Sequence, residues 1–375
     1  MFAITNGRVI AGSQIVDSVV IVDKDRIVDL RDAVPVGIRR VDARGMYVSP
    51  GFIEIHMHGR NGYDTMDASF DAINGLSKAL IASGVTGFLA TTMTMPGENI
   101  KRAVRTVGES MGKVEGARLL GLHMEGPFIS KEHKGAQPED YIKMPSMDEF
   151  MSLCDGFDSI VKLITVAPET DGAVEFIRKL ANMGTVISMG HTNATYDEAM
   201  KGIKAGAKSS THTFNGMRGF HHREPGALGA VFDSDIFAEF ICDGVHVHFA
   251  ALRTLLKIKG VERSILVTDS MRAAGLADGV YDLGGQQVFV KSGQARLADG
   301  TIAGSTLTLD AAVHNAVEHL GVTIPEAVRM ASYNPAKLLG LNDMGEIKKG
   351  NMADIIFFDE DINIKGMFIA GDRVF

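Results

Sequence analysis

Apolar and polar positions along this chain follow two different rhythms. At one end, Phe2-Ala3-Ile4-Thr5, Val9-Ile10, Val19-Val20-Ile21-Val22 and Ile27-Val28-Asp29-Leu30 are short runs rich in β-branched residues. Asn6-Gly7 and Asp23-Lys24-Asp25 separate them with turn chemistry, so the segment reads as all-β. The same texture returns in Ala353-Asp354-Ile355-Ile356-Phe357-Phe358 and in the run from Met367 to Val374. Two β-rich ends around a different middle predict one small β-sandwich, built from residues 1–49 with 346–375.

Between residues 50 and 345 the rhythm becomes strand, loop, helix, repeated. Buried-strand patterns recur at 52–58, 85–92, 118–125, 161–167, 185–191, 209–213, 237–242 and 264–269. Helical spacing lies between most of them, as in Phe70–Ala82, Ala173–Ala181 and Tyr196–Ala205. Eight such alternations predict a parallel sheet closed into a (β/α)8 TIM-like barrel over residues 50–345. An open doubly wound sheet competes, but it favours a Gly-rich phosphate turn after its first strand, and none is present.

Composition narrows the function. With 375 residues, 22% charged, a net charge of −8 and no basic run, the chain has no nucleic-acid or anionic-membrane footprint. Cys154 and Cys242 are too few for a disulfide framework and read as packing residues suited to a reducing compartment. No secretory leader or membrane-length apolar run is visible, so the expected location is the cytoplasm.

The chemistry sits where the strand patterns run out. In Phe52-Ile53-Glu54-Ile55-His56-Met57-His58-Gly59, strand alternation puts His56 and His58 on one side, as two ligands of a divalent metal would require. Barrel enzymes carry their reactive groups at the carboxyl ends of the strands. Those ends hold His123 and Glu125, His191, His212, Asp243 and His246, and Asp269. A lone histidine there is ordinary; a His, Glu and Asp set at five strand ends points to zinc or another divalent transition metal and to hydrolysis. His314 and His319 lie on a helical stretch and read as surface or packing residues, and abundant Met as core filling.

These segments, together with residues 134–137, 190–195, 211–217, 221–230, 243–247, 266–270 and 303–309, make the chain resemble the amidohydrolase superfamily. Within it, the pairing of LHMEGPF with HHREPG is similar to the deacetylases of N-acetylated amino-sugar phosphates. The resemblance implies Glu125, His191 and His212 as ligands of a principal metal, with His56 and His58 for a second. Zinc leads, with iron, manganese or cobalt as alternatives and one or two ions per subunit. Asp269 is implied as metal ligand and general base, accepting a proton from the attacking water and passing it to the departing amine. No lysine stands near the end of the fourth strand, Lys162 being at its start, so a carbamylated-lysine bridge is not expected.

The implied reaction is hydrolysis of the acetamido group of N-acetylglucosamine 6-phosphate to glucosamine 6-phosphate and acetate. The galacto epimer, or another N-acyl or cyclic amide, is the alternative substrate; a non-catalytic barrel is the alternative class. Substrate contacts implied are Ala136, Gln137, Asn215, Gly216, His246, Ile302, Ala303 and Gly304. Arg223 matches a phosphate-binding arginine that reaches the neighbouring subunit's site, which implies a homodimer. Gln137, Gly216 and Ser270 depart from the commoner residues of the family. His123 is expected to support the ligands from behind, and Arg272 to lie near the site.

Overall fold

A computed structural model describes residues 1–375. Eight parallel strands follow one another around a single sheet: β1 (Phe52–Glu54), β2 (Val85–Thr92), β3 (Arg118–Glu125), β4 (Val161–Val166), β5 (Val186–Met189), β6 (Ala207–Ser210), β7 (Phe237–Ile241) and β8 (Ser264–Val267). Helices α1 (Phe70–Leu80), α2 (Gly97–Ser110), α3 (Met147–Cys154), α4 (Ala173–Asn182), α5 (Tyr196–Ala205), α6 (Gly226–Phe232) and α7 (Phe249–Lys259) each follow the strand of their number, and α8 (Leu309–Leu320), α9 (Ile324–Ala331) and α10 (Tyr333–Leu339) complete the shell. The predicted barrel is therefore the observed one. Six predicted strands are shorter than expected, among them β1, which stops at Glu54 rather than 58, the fifth, which spans 186–189 rather than 185–191, and the sixth, 207–210 rather than 209–213. In these three, the chain leaves the ladder just before the histidines at the barrel mouth.

Alternation along the strands explains the packing. On β4, Ile164 and Val166 join the helix-facing core with Ile177 and Leu180 of α4. Leu163 instead joins Leu89, Ile241, Ile265 and Val267 in a separate apolar layer inside the barrel. Full burial of each such side chain contributes about 1.5–3 kcal/mol. Side-chain caps fix the helix starts, as where Thr195 and Glu198 bond reciprocally at the head of α5.

The seam between β8 and β1 closes just beyond their ends. Asp269 N–H donates to the His56 carbonyl at 2.9 Å, and the His58 and Gly59 N–H groups both donate to the Ser270 carbonyl at 2.9 and 3.0 Å. The Ser270 hydroxyl adds a bond to the Gly59 carbonyl at 3.0 Å, a latch that alanine could not supply. Barrel closure and the reactive residues thus share one stretch of backbone.

Both chain ends build the predicted sandwich. A four-stranded sheet of Phe2–Thr5, Val19–Asp23, Arg26–Arg31 and Arg39–Asp42 faces a six-stranded one. In the latter, Tyr47–Pro50 pairs with Arg8–Ala11 on one side and with Ile355–Phe358 on the other. Phe2, Ile4, Val20, Val48, Ile355, Phe357 and Phe368 fill the space between. Tyr47–Pro50 runs almost directly into β1, so the sandwich anchors the strand that leads to His56. An unforeseen three-stranded antiparallel sheet, Gly279–Leu283, Gln286–Lys291 and Gln294–Arg296, follows β8 and overhangs the barrel mouth.

Candidate metal centre

At the carboxyl end of the barrel, six side chains converge. Glu125 Oε1 lies 3.2 Å from His191 Nε2, 3.1 Å from His212 Nε2 and 3.3 Å from His56 Nε2. Its other oxygen lies 3.1 Å from His58 Nε2. Asp269 Oδ1 stands 3.5 Å from His56 Nε2 and 3.3 Å from His58 Nε2. The strand ends that the sequence singles out thus meet in one cluster.

Hydrogen bonds behind the rings decide which nitrogens face the cluster. His191 Nδ1 donates to the His133 carbonyl at 2.9 Å, and His212 Nδ1 donates to the Asn215 carbonyl at 3.1 Å. With Nδ1 committed in this way, the neutral form of each ring presents Nε2 as a lone pair. Those two lone pairs sit 3.1 Å apart with the Glu125 carboxylate between them. Three acceptors in that form need a positive charge among them, either a cation or the proton that, against the cost of burial, the Glu125 carboxylate favours on His191. Ligand separations of about 3.3 Å follow from tetrahedral bonds of about 2.0 Å, so the spacing fits a small divalent ion. Glu125, His191 and His212 form one such donor group, and His56, His58 and Glu125 a second.

Electrostatics keep the carboxylates ionised. Burial would raise the Asp269 carboxyl, but the facing His56 and His58 hold it at about 2. Burial opposes charge on His58, yet hydrogen bonding to Asp269 and Glu125 pushes it up to about 10. An ion would take the place of those protons. Backbone strain accompanies the chemistry: His191, His212 and Asp269 have φ of 46°, 30° and 48°, left-handed values that cost about 1–3 kcal/mol each.

A cavity of about 260 Å³ opens above the cluster. It is lined by His58, Glu125, His191, His212 and Asp269 together with Ala136, Gln137, Asn215, Gly216, His246, Ile302 and Gly304. Most predicted substrate contacts thus meet in one place, while Ala303 faces away into the apolar packing under the overhanging sheet. His246 is aimed by Asp243, whose Oδ2 lies 2.6 Å from Nδ1, which leaves Nε2 as the uncommitted ring atom. Gly216 has φ of 59°, and a Cβ there would lie 2.9 Å from His191 Nδ1.

Gln137, Arg223 and Arg272 each find partners within the protein. Gln137 is occupied by the protein rather than free for a sugar hydroxyl: its Oε1 accepts from Thr94 N at 2.8 Å and its Nε2 donates to Glu125 Oε2 at 2.7 Å. Arg223 lies outside this chain's own cavity, exposed, with Nη1 2.8 Å from His222 Nε2. Arg272 is a strut, donating to Asp67 Oδ1 at 2.8 Å and to the Asp282 carbonyl at 2.9 Å, and so tying the overhang to the loop after β1. His123 lies behind the ligands, its ring 4.6 Å edge-on to His56 and its Nε2 2.9 Å from Thr165 Oγ1. Sequence reasoning passed over Glu239, a fully buried carboxylate on β7 beneath His56. Its signal was a single acid inside the apolar run Phe237–Ile241.

Known proteins share this architecture. Residues 47–374 match the amidohydrolase family. The chain is 40% identical to an N-acetylglucosamine-6-phosphate deacetylase of Lysinibacillus sphaericus, across 89% of this chain and 87% of that one. It is 36% identical to an N-acetylgalactosamine-6-phosphate deacetylase of Escherichia coli O157:H7, across 92% of each. Its fold superposes with a TM-score of 0.93 on a mutant N-acetyl-D-glucosamine-6-phosphate deacetylase from Mycobacterium smegmatis, in complex with N-acetyl-D-glucosamine-6-phosphate, at 34% identity over 100% of this chain and 99% of that one.

Proposed function

This chain belongs to the amidohydrolase family, a metal-dependent family of hydrolases, and on that premise we propose that it removes the acetyl group of N-acetylglucosamine 6-phosphate. The products are glucosamine 6-phosphate and acetate, a reaction of amino-sugar metabolism. One observation carries the chemistry: four histidines and a carboxylate, in two groups with metal-ligand spacing, converge beside an ionised Asp269 at the base of a polar cavity.

Glu125, His191 and His212 would hold the principal ion, and His56 and His58, with Glu125 between, a second; zinc suits the nitrogen-rich donor set. When bound, a divalent ion supplies Lewis acidity toward the acetyl carbonyl and acidifies the attacking water. Asp269, ionised and partly open to the cavity, accepts the proton of that water as it adds to the carbonyl. It then returns the proton to the nitrogen, which leaves as a neutral amine. His246, braced by Asp243, turns Nε2 to the carbonyl or a neighbouring hydroxyl. Gln137 fixes the Glu125 carboxylate so that Oε1 faces the histidines.

A phosphate dianion needs a cationic partner, yet no lysine or arginine lines the cavity. That gap supports a homodimer in which Arg223, exposed beside a separate cleft with Arg218, completes the cavity of a second copy. No helix is long and apolar enough to cross a membrane. The buried, unpaired cysteines suit the cytoplasm.

The test is acetate release by metal-loaded protein from N-acetylglucosamine 6-phosphate, the unphosphorylated sugar and the galacto epimer. Phosphate-dependent turnover is expected on the gluco substrate, falling about 10²–10⁴-fold in Asp269→Asn. Turnover confined to the galacto epimer would reassign the substrate. No release from any of them would refute the proposal.

A further inference from the structure

Glu239 is buried to 0% exposure on β7, directly under the metal cluster. Its Oε1 accepts from Ser188 Oγ of β5 at 2.9 Å and from Ser209 Oγ of β6 at 2.7 Å. Its Oε2 has no hydrogen-bond partner and lies 3.8 Å from His56 Nδ1, which has none either. An unpaired carboxylate oxygen in a closed interior is costly, and the His56 ring is the group it faces.

Two of the other three candidate ligand histidines are anchored differently, and the Nδ1 of the third, His58, has no partner. His191 and His212 give their Nδ1 protons to neutral main-chain carbonyls, whereas His56 faces an anion. A carboxylate behind a ligating imidazole fixes its tautomer, fixes the ring plane and strengthens Nε2 as a ligand. The two serines hold Glu239 from the far side, so its free oxygen cannot swing away.

We propose that Glu239 is a positioning residue for the second ion: its Oε2 closes onto His56 Nδ1–H when that ion is bound, and thereby sets the affinity of the His56, His58 and Glu125 group while leaving that of Glu125, His191 and His212 alone. The inference rests on the two-ion reading above. It assigns an asymmetry to the centre, with one ion held through carbonyl-braced histidines and the other through a carboxylate-braced one.

Chelator-stripped protein titrated with zinc against a chromophoric competitor tests this without recourse to turnover. Wild type should take up two equivalents. Glu239→Gln, equal in shape, should keep the first at unchanged affinity and bind the second about 10–100-fold more weakly. In ¹⁵N-histidine spectra of the zinc-loaded protein, the His56 Nδ1 resonance should move in the variant while those of His191 and His212 stay. Should Glu239→Gln fail to fold, Glu239→Asp keeps the charge but withdraws it from His56 and should weaken the second equivalent too. Two equivalents at wild-type affinity in the variant would overturn the inference, as would equal weakening of both. A wild-type stoichiometry of one would overturn it together with the two-ion reading, while leaving acetate release as the independent test of the reaction.

Discussion

Gly59→Ala places a methyl group into the barrel seam. The new Cβ would lie 2.5 Å from the Tyr63 carbonyl oxygen, 2.7 Å from Arg272 N and 3.0 Å from Arg272 Cα. All three are main-chain atoms, so no side chain can rotate away. Ordinary carbon–oxygen contacts begin near ~3.3 Å, so the strands must part by about 0.8 Å. Parting strains the bonds that close the seam, from His58 and Gly59 N–H to the Ser270 carbonyl and from the Ser270 hydroxyl to the Gly59 carbonyl. Three hydrogen bonds at about 1 kcal/mol each, with about 1–3 kcal/mol of overpacking, give a cost near ~4–6 kcal/mol. At an unfolding entropy of about 0.8 kcal/mol/K for a chain of this length, melting should fall by roughly 5–8 °C. Because His58 and Asp269 sit in the same seam, metal content after dialysis should fall as well. Calorimetry and metal analysis on Gly59→Ala beside Gly219→Ala, where the added carbon meets open space, would check this. Melting of Gly59→Ala within 1 °C (about 0.8 kcal/mol) of wild type would refute the account of the seam.

Three further outcomes follow from the same structure. Gln137→Leu strips the amide from Glu125 and leaves Thr94 N–H unpaired, so zinc should be held about 10–100-fold less tightly in chelator competition, with folding stability down by about 1–3 kcal/mol. Chelation leaves protons in the ion's place on the histidines and removes the ion's binding free energy; at zinc 100-fold above its dissociation constant the loaded protein should be more stable by about 2.7 kcal/mol, read as a melting shift of roughly 3 °C. Lys259, whose Nζ donates to the Val231 carbonyl at 2.8 Å, has its pKa lowered from 10.5 to about 8 by burial. Between those values the unfolded chain binds the extra proton, so stability relative to Lys259→Met should rise with pH from about 8 to 10.5, by about 1–2 kcal/mol in urea titrations.

The barrel was legible because parallel strands buried on both faces read as near-continuous apolar runs, as Phe237–Ile241 does. Ligands were legible because chemistry in this fold gathers where such runs end. What remained hidden depends on contacts between distant segments. Nothing local marks Tyr47–Pro50 as the strand that Ile355–Phe358 will cover. The overhanging sheet is only half-buried, so its pattern is weak, although Gly284-Gly285 and Ser292-Gly293 are turn signals that could have exposed it. Gln137 read as a surface for sugar because its sequence position says nothing of Thr94 or Glu125. The left-handed backbone at His191, His212 and Asp269 was equally invisible, since those residue types do not announce it.

The strand Tyr47–Pro50 has one partner within the first dozen residues and another at Ile355–Phe358, about 300 residues later. Ribosomes add roughly 5–20 residues per second, so on a nascent chain one edge of this strand waits about 15–60 s for its cover. For that interval an apolar edge that leads directly into β1 is open to pairing with another chain. Quality control during synthesis therefore bears on the same strand that delivers His56 and His58.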